Sequence, residues 1–156
     1  NMWKIIRSKQ DINNFMTLFG GFHDACLKEI RYTSGAFVNK DLFMNPVNSE
    51  RLLYAIFQRQ GFCPTTIELK FIGLKRVNLV PQAPNYDALI QNGNLAILQD
   101  CVIWYDCECL DDISANTNHV IAERLEWRTA DEWVGSDNIY VTTQQNDKSI
   151  NQHNCK

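Results

Sequence analysis

Three groups of side chains in this sequence combine residue types that do chemistry with close spacing. His23, Asp24 and Cys26 are the parts of a thiol site, in which an imidazole takes the thiol proton and a carboxylate orients the imidazole. Their spacing argues against that use. Along a strand Asp24 and Cys26 share a face while His23 points away, and such groups normally meet from distant parts of a chain. The local reading is that Asp24 or His23 hydrogen-bonds backbone freed where a helix ends. Cys101, Cys107 and Cys109 form the second group: they differ by even numbers, so an unbroken strand would put them on one face. A zinc ion needs about four N or S ligands at tetrahedral positions. Only Cys107 and Cys109 are local to each other, and nothing in the sequence fixes His119 or His153 beside them. Free thiols are among the most buried residue types, so these read as small hydrophobes, with Cys101 or Cys107 buried and neither metal nor cofactor expected.

The third group is Glu68, Glu123 and Glu126, candidates for paired carboxylates in acid–base work. Glu68 falls on the polar side of an alternating run beside Lys70, where a solvated cross-strand charge is expected. Strict alternation puts Glu123 on the face of Ile121, Leu125 and Trp127. Either a bulge turns it outward or it is buried with a partner such as an arginine. Glycine-rich phosphate loops, Lys-Ser/Thr phosphate motifs and Gly-x-Ser-x-Gly elbows are absent from the sequence, so no catalytic residue is assigned and the chain reads as a non-enzyme.

The elements that must position these groups are mostly strands. Ile12, Phe15, Met16 and Phe19 recur at three and four residues, and Ser8 with Asp11 supplies a helix start, which predicts a helix over Asp11 to Phe19 that ends at Gly20 and Gly21. Trp3 to Arg7 reads as an edge strand. From Ala25 the period changes to two, with Leu27 out of place among polar positions, and Ser34-Gly35 reads as a turn into a second hairpin arm, AFVNKDLFM. RLLYAIFQRQ mixes both periods, so a strand buried on both faces and a short helix are both open, and the strand is preferred because a hairpin arm follows. Thr66, Glu68 and Lys70 alternate with Ile67, Leu69 and Phe71, Gly73 interrupts, and the run resumes until Pro81. The stretch 82–94 reads as a loop with one helical turn at Tyr86 to Ile90. Leu95 to Glu108 reads as one central strand, HVIAERLEWR as another, TADEWV as a helical turn carrying Trp133, and NIYVTT as an edge strand. Short connections favour hairpins. The fold class is therefore α+β and mainly β: an antiparallel sheet rolled into a sandwich or half-open barrel with one N-terminal helix packed on it. A single domain over 1–143 and a polar tail over 144–156 complete the plan, the tail being too polar to order itself.

Bulk properties narrow the partners. A net charge of −3 and a pI near 5.6 argue against nucleic acid. The charged start MWKIIRSKQD and the lack of a long apolar run predict a cytoplasmic protein with no membrane association. In that compartment the six cysteines are expected as free thiols and not as a disulfide framework. Asp106, Glu108, Asp111 and Asp112 form the densest acidic cluster and are the candidate partner contacts.

FHDACLKEIRYTSG at Phe22 to Gly35, IELKFIGL at Ile67 to Leu74 and VIAERLEW at Val120 to Trp127 together resemble a pattern in small bacterial β-rich proteins, among them immunity proteins of polymorphic toxin systems. The resemblance implies a β-rich fold with a helix near its N-terminus and neutralisation of a toxin domain by direct contact. The alternative is a small-molecule-binding, barrel-like protein. Four tryptophans, five tyrosines and eight phenylalanines are enough to line an apolar pocket, although most such side chains serve as core.

Overall fold

The structure, a computed structural model, describes residues 2–135; the expected NIYVTT strand, the 144–156 tail, His153 and Cys155 lie outside them. Strand β1 (Lys4–Ile6) leads into helix α1 (Lys9–Leu18), and the long strand β2 (Ala25–Thr33) follows a 3₁₀ turn at Gly20–Phe22. A two-stranded ribbon, β3 (Phe37–Val38) with β4 (Met44–Asn45), comes next. Then come β5 (Leu52–Arg59), β6 (Thr66–Asn78), β7 (Leu89–Ile90), β8 (Gly93–Leu98), β9 (Cys101–Asp106) and β10 (His119–Thr129).

Strand far outweighs helix, and the main sheet is antiparallel and nearly closed into a barrel. Its order is β7-β2-β5-β6-β10-β9-β8, with β1 added to β10. One edge of β10 is shared: β9 pairs with His119 to Ala122, and β1 takes over from Leu125 to Trp127. At the changeover the side-chain parity breaks, with Ala122 and Leu125 buried and Glu123 and Arg124 both exposed between them. Across from Glu123 on β6, Gly73 adopts φ +69°, and Glu123 lies where a Cβ at that position would be. The β6–β10 register also shifts between Ile121 and Ala122, and the β2–β5 register shifts between Leu27 and Glu29. The second shift accounts for Leu27, since Ala25 and Leu27 point inward before it and Ile30 after it. Such irregularities bend and twist a sheet, which is what near-closure requires.

The concave side holds the core. Helix α1 starts as its sequence signals, with Ser8 as N-cap in a reciprocal capping box with Asp11. Backbone N–H groups of Arg7 and Ser8 both donate to the Asp11 carboxylate at 2.9 Å, which holds its pKa below the usual value. The helix buries Ile12 and Phe15, and Phe15 meets Trp127 edge-on with ring centroids 5.0 Å apart. Phe22 sits among Phe15, Phe19, Phe57 and Trp104. Two glycines make this possible. Gly20 takes φ +64° against the guanidinium of Arg59, which donates to the Leu18 carbonyl at the helix end, and Gly93 lies against Phe22 with no room for a Cβ.

Three sequence expectations are corrected. AFVNKDLFM does not pair with β2: it folds back on itself as the β3–β4 ribbon, because Gly35 and the Ser34 carbonyl, which accepts from the amides of Glu50 and Arg51, close a separate loop. Leu95 to Glu108 is not one strand, since a turn at Gln99 and Asp100 makes it the β8–β9 hairpin. Gly73 interrupts the run without ending it, as the sequence predicts, and the β6 ladder continues to Asn78. Tyr86 to Ile90 forms no helical turn, and Leu89–Ile90 pairs with β2.

Candidate functional site

His23 and Asp24 lie just after α1, where the backbone is turned tightly (Phe22 φ 61°, Asp24 φ 58°). His23 Nδ1 is 3.2 Å from Asp24 Oδ2, and both side chains are exposed. Cys26 lines a shallow surface depression with Asp24, as their shared face predicts, whereas His23 is not part of that lining. The three do not assemble into a relay.

Burial of the thiols is a further correction, because none of the described cysteines is fully buried: Cys63 and Cys109 are exposed, and Cys26, Cys101 and Cys107 are half-buried. β9 ends at Asp106, so Cys107 and Cys109 leave the strand and its face periodicity no longer relates them to Cys101. Instead Cys109 and Asp112 cap a 3₁₀ turn at Leu110–Asp112, with the Cys109 thiol donating to Asp112 Oδ2 at 3.1 Å. Desolvation pushes the Cys107 thiol above its usual pKa, helped by Asp112, Cys109 and Asp106, which disfavours a thiolate. His119 is buried, and its Nδ1 lies 3.0 Å from the Thr117 carbonyl. Among the described residues no group of three or more His, Cys, Asp and Glu side chains is arranged to hold a metal ion.

The carboxylates are held by arginine and lysine. Glu68 is not solvated: it is only 2% exposed and accepts from Arg128 Nε at 2.7 Å. The outer face is covered there, because the Arg128 guanidinium stacks at 4.4 Å from the centre of Trp3 and 5.2 Å from that of Trp133. Desolvation raises the Glu68 pKa above the ordinary carboxylate value despite Arg128. Glu126 pairs with Lys70 at 3.2 Å. Glu123 is turned outward and also meets an arginine, Arg51, at 2.9 Å. These contacts organise the sheet's outer surface.

Within the acidic cluster the four residues separate. Asp112 is engaged as the cap, and Asp106 is half-buried, with its Oδ2 accepting from Asn118 Nδ2 at 3.4 Å. Glu108 and Asp111 are the two exposed members outside those contacts.

Two features are not placed by the sequence reading. The first is the ribbon, an arm over 34–50 that carries Phe37, Val38, Leu42, Phe43, Met44 and Val47 at 53–85% exposure. It is internally fixed: Asn39 Oδ1 accepts from the amides of Asp41 and Phe43, Asn45 Oδ1 accepts from that of Val47, and Tyr32 Oη donates to Asn48 at 3.3 Å. The second is a cavity of about 550 Å³ between β2, the 79–90 crossing segment and the end of β9. Leu27, Ile30, Val80, Leu89 and Trp104 supply apolar wall, and the Trp104 indole Nε1, buried, donates to no protein group. The crossing segment is pinned at its root by Asn118, whose Oδ1 accepts from the Val80 amide at 2.6 Å. Neither feature is marked by the residue types of a catalytic relay: the arm is defined by exposure and the cavity by the convergence of distant segments.

No helix among the described residues is long and apolar enough to cross a membrane. Comparison of the chain with protein-family models, with curated proteins and with solved structures found no match.

Proposed function

We infer that this chain is a non-catalytic binding protein of the cytoplasm whose partner is another protein. The observation that carries the reading is the arm: six large apolar side chains held out to solvent on a hydrogen-bonded ribbon. Exposed apolar clusters on a soluble surface mark interaction sites, and an ordered ribbon loses little conformational freedom on binding. The resemblance at Phe22–Gly35, Ile67–Leu74 and Val120–Trp127 narrows the partner to a toxin domain neutralised by direct contact. Glu108 and Asp111 suit such a role, because exposed carboxylates steer a basic target into contact.

The test is growth rescue. Co-expression with a toxin-like product of a neighbouring reading frame should restore growth. A Phe37→Ser, Leu42→Ser, Phe43→Ser variant should lose the rescue while keeping the wild-type melting temperature, and Glu108→Lys with Asp111→Lys should weaken it. Full rescue by the arm variant would remove the arm from the interface. Absence of rescue by the wild type would remove the toxin reading.

A further inference from the structure

A smaller cavity, of about 240 Å³, lies on the outer face of the sheet between the end of β6 and the 113–115 turn. We propose that it is a binding site for a small oxyanion carrying an O–H group, whose negative charge meets Arg76 and whose O–H donates to His119 Nε2.

His119 carries the site. Val120 and Ala122 point into the core, so His119 points outward, yet it is only 3% exposed. Its Nδ1 lies 3.0 Å from the Thr117 carbonyl and 3.4 Å from Thr117 Oγ1. A carbonyl can only accept, and the Thr117 hydroxyl gives its proton to the Ser114 carbonyl, so Nδ1 is the protonated nitrogen. In the neutral imidazole Nε2 is then an acceptor. Nε2 has no protein partner among the described residues, where the one unpartnered polar side-chain atom sealed from solvent is Trp104 Nε1. His119 Nε2 therefore reaches accessible surface, and the cavity that His119 lines supplies it.

Arg76 supplies the charge. It shares a face of β6 with Asn78, the partner of His119, so Arg76 and His119 are diagonal neighbours within reach of a long side chain. Arg76 is exposed and pairs with no carboxylate among the described residues. The lining holds no acidic side chain, since Asp111 and Asp112 precede the turn and stay outside the cavity. The walls are tied together: Asn78 Nδ2 donates to the Ala115 and Thr117 carbonyls at 3.0 and 2.7 Å. Ser114 Oγ accepts from the Asn116 amide at 3.2 Å, which leaves its proton for the ligand. At about 240 Å³ the cavity falls below the roughly 300–1,000 Å³ of ordinary small-molecule sites, so it suits an anion of a few non-hydrogen atoms. The acceptor at Nε2 then selects hydrogen phosphate over sulfate, and a hydroxy acid over a plain carboxylate.

Inorganic phosphate against sulfate, and glycolate against acetate, are matched probes that differ in the O–H. The readout is the long-range ¹H–¹⁵N spectrum of the histidine rings in the full chain, with His119 assigned through His23→Gln and His153→Gln, which leave it in place. Phosphate, glycolate or both should move the His119 Nε2 signal toward its protonated position and saturate on the order of millimolar concentration. Sulfate and acetate should bind about tenfold more weakly, as the loss of one hydrogen bond predicts. A response to phosphate alone marks the ligand as a phosphate, and a response to glycolate alone marks it as a hydroxy acid. Arg76→Gln, on an exposed position, should weaken binding about tenfold or more. Ala115→Trp, or Ser114→Trp if the first variant melts early, should abolish the response by filling the cavity. The proposal is overturned if none of the four anions moves the His119 signal, if both members of each pair bind alike, or if Arg76→Gln or the cavity-filled variant binds as wild type does. Because the arm variant leaves this cavity intact, its anion affinity should be that of wild type whatever the outcome of growth rescue.

Discussion

Glu68 shows how a residue's setting reverses its expected behaviour. Burial raises its pKa above the ordinary value of 4.5 even with Arg128 at 2.7 Å, so in the window above 4.5 the folded chain binds a proton that the unfolded chain has released. The folded state binds more protons there, so this contribution to stability falls as pH rises through the window and is fully present below it. The difference in melting temperature between wild type and Glu68→Gln should therefore shift in favour of wild type as pH is lowered from 7 toward 4.5; a pH-independent difference would show that Arg128 fully compensates burial. Asp11 works in the opposite sense. Amide hydrogen bonds lower its pKa, so its contribution is present above the unfolded value and is lost as pH falls through the folded one. Gly93 gives a purely steric prediction. A Cβ there would meet the Phe22 ring stem, so Gly93→Ala should cost about 1–3 kcal/mol, as overpacking does, measured by urea unfolding. In the sequence none of these settings is visible. Glu68 looks solvated because Trp3 and Trp133, which sandwich its partner Arg128, lie far away along the chain.

Elements with local rules were legible. Helix α1 could be read from Ser8, Asp11 and the spacing of Ile12 and Phe15, and Ser8→Ala should cost about 1 kcal/mol by removing the N-cap bond, again by urea unfolding. The arm was misread because AFVNKDLFM has the composition of a strand, and strand propensity does not tell whether a sheet edge is waiting for it. Its side chains bury little, so replacing 36–48 by a short Gly-Ser linker should leave the melting temperature within a few degrees of wild type. A large drop would mean that the arm packs on the body more than its exposure implies. The outward turn of Glu123 could be posed from the sequence as one of two outcomes, and the first happened: the register shifts just before it and the carboxylate is exposed, where Arg51 meets it without burying it.

At the scale of the molecule, the mainly β, antiparallel, partly closed fold follows from short connections and period-two runs, and the structure has it. The cavity could not be read because its walls are joined only by closure: Leu27, Val80 and Trp104 are brought together by the sheet's curvature and not by any local pattern. The candidate sites share that property. Exposed surface and enclosed volume belong to the arrangement of elements, and a linear search for reactive residue types is blind to both.

The pairing of β1 with β10 also sets an order in time. Lys4 finds its strand partner at Trp127, and Phe15 on α1 packs against that same tryptophan. A chain emerging at about 5–20 residues per second must therefore hold β1 and the apolar face of α1 in waiting for on the order of ten seconds. During that interval Phe15 lacks the β10 surface that finally covers it. Strand β10 thus acts as the latch for β1, and newborn chains halted before His119 should be captured by chaperones that finished chains escape.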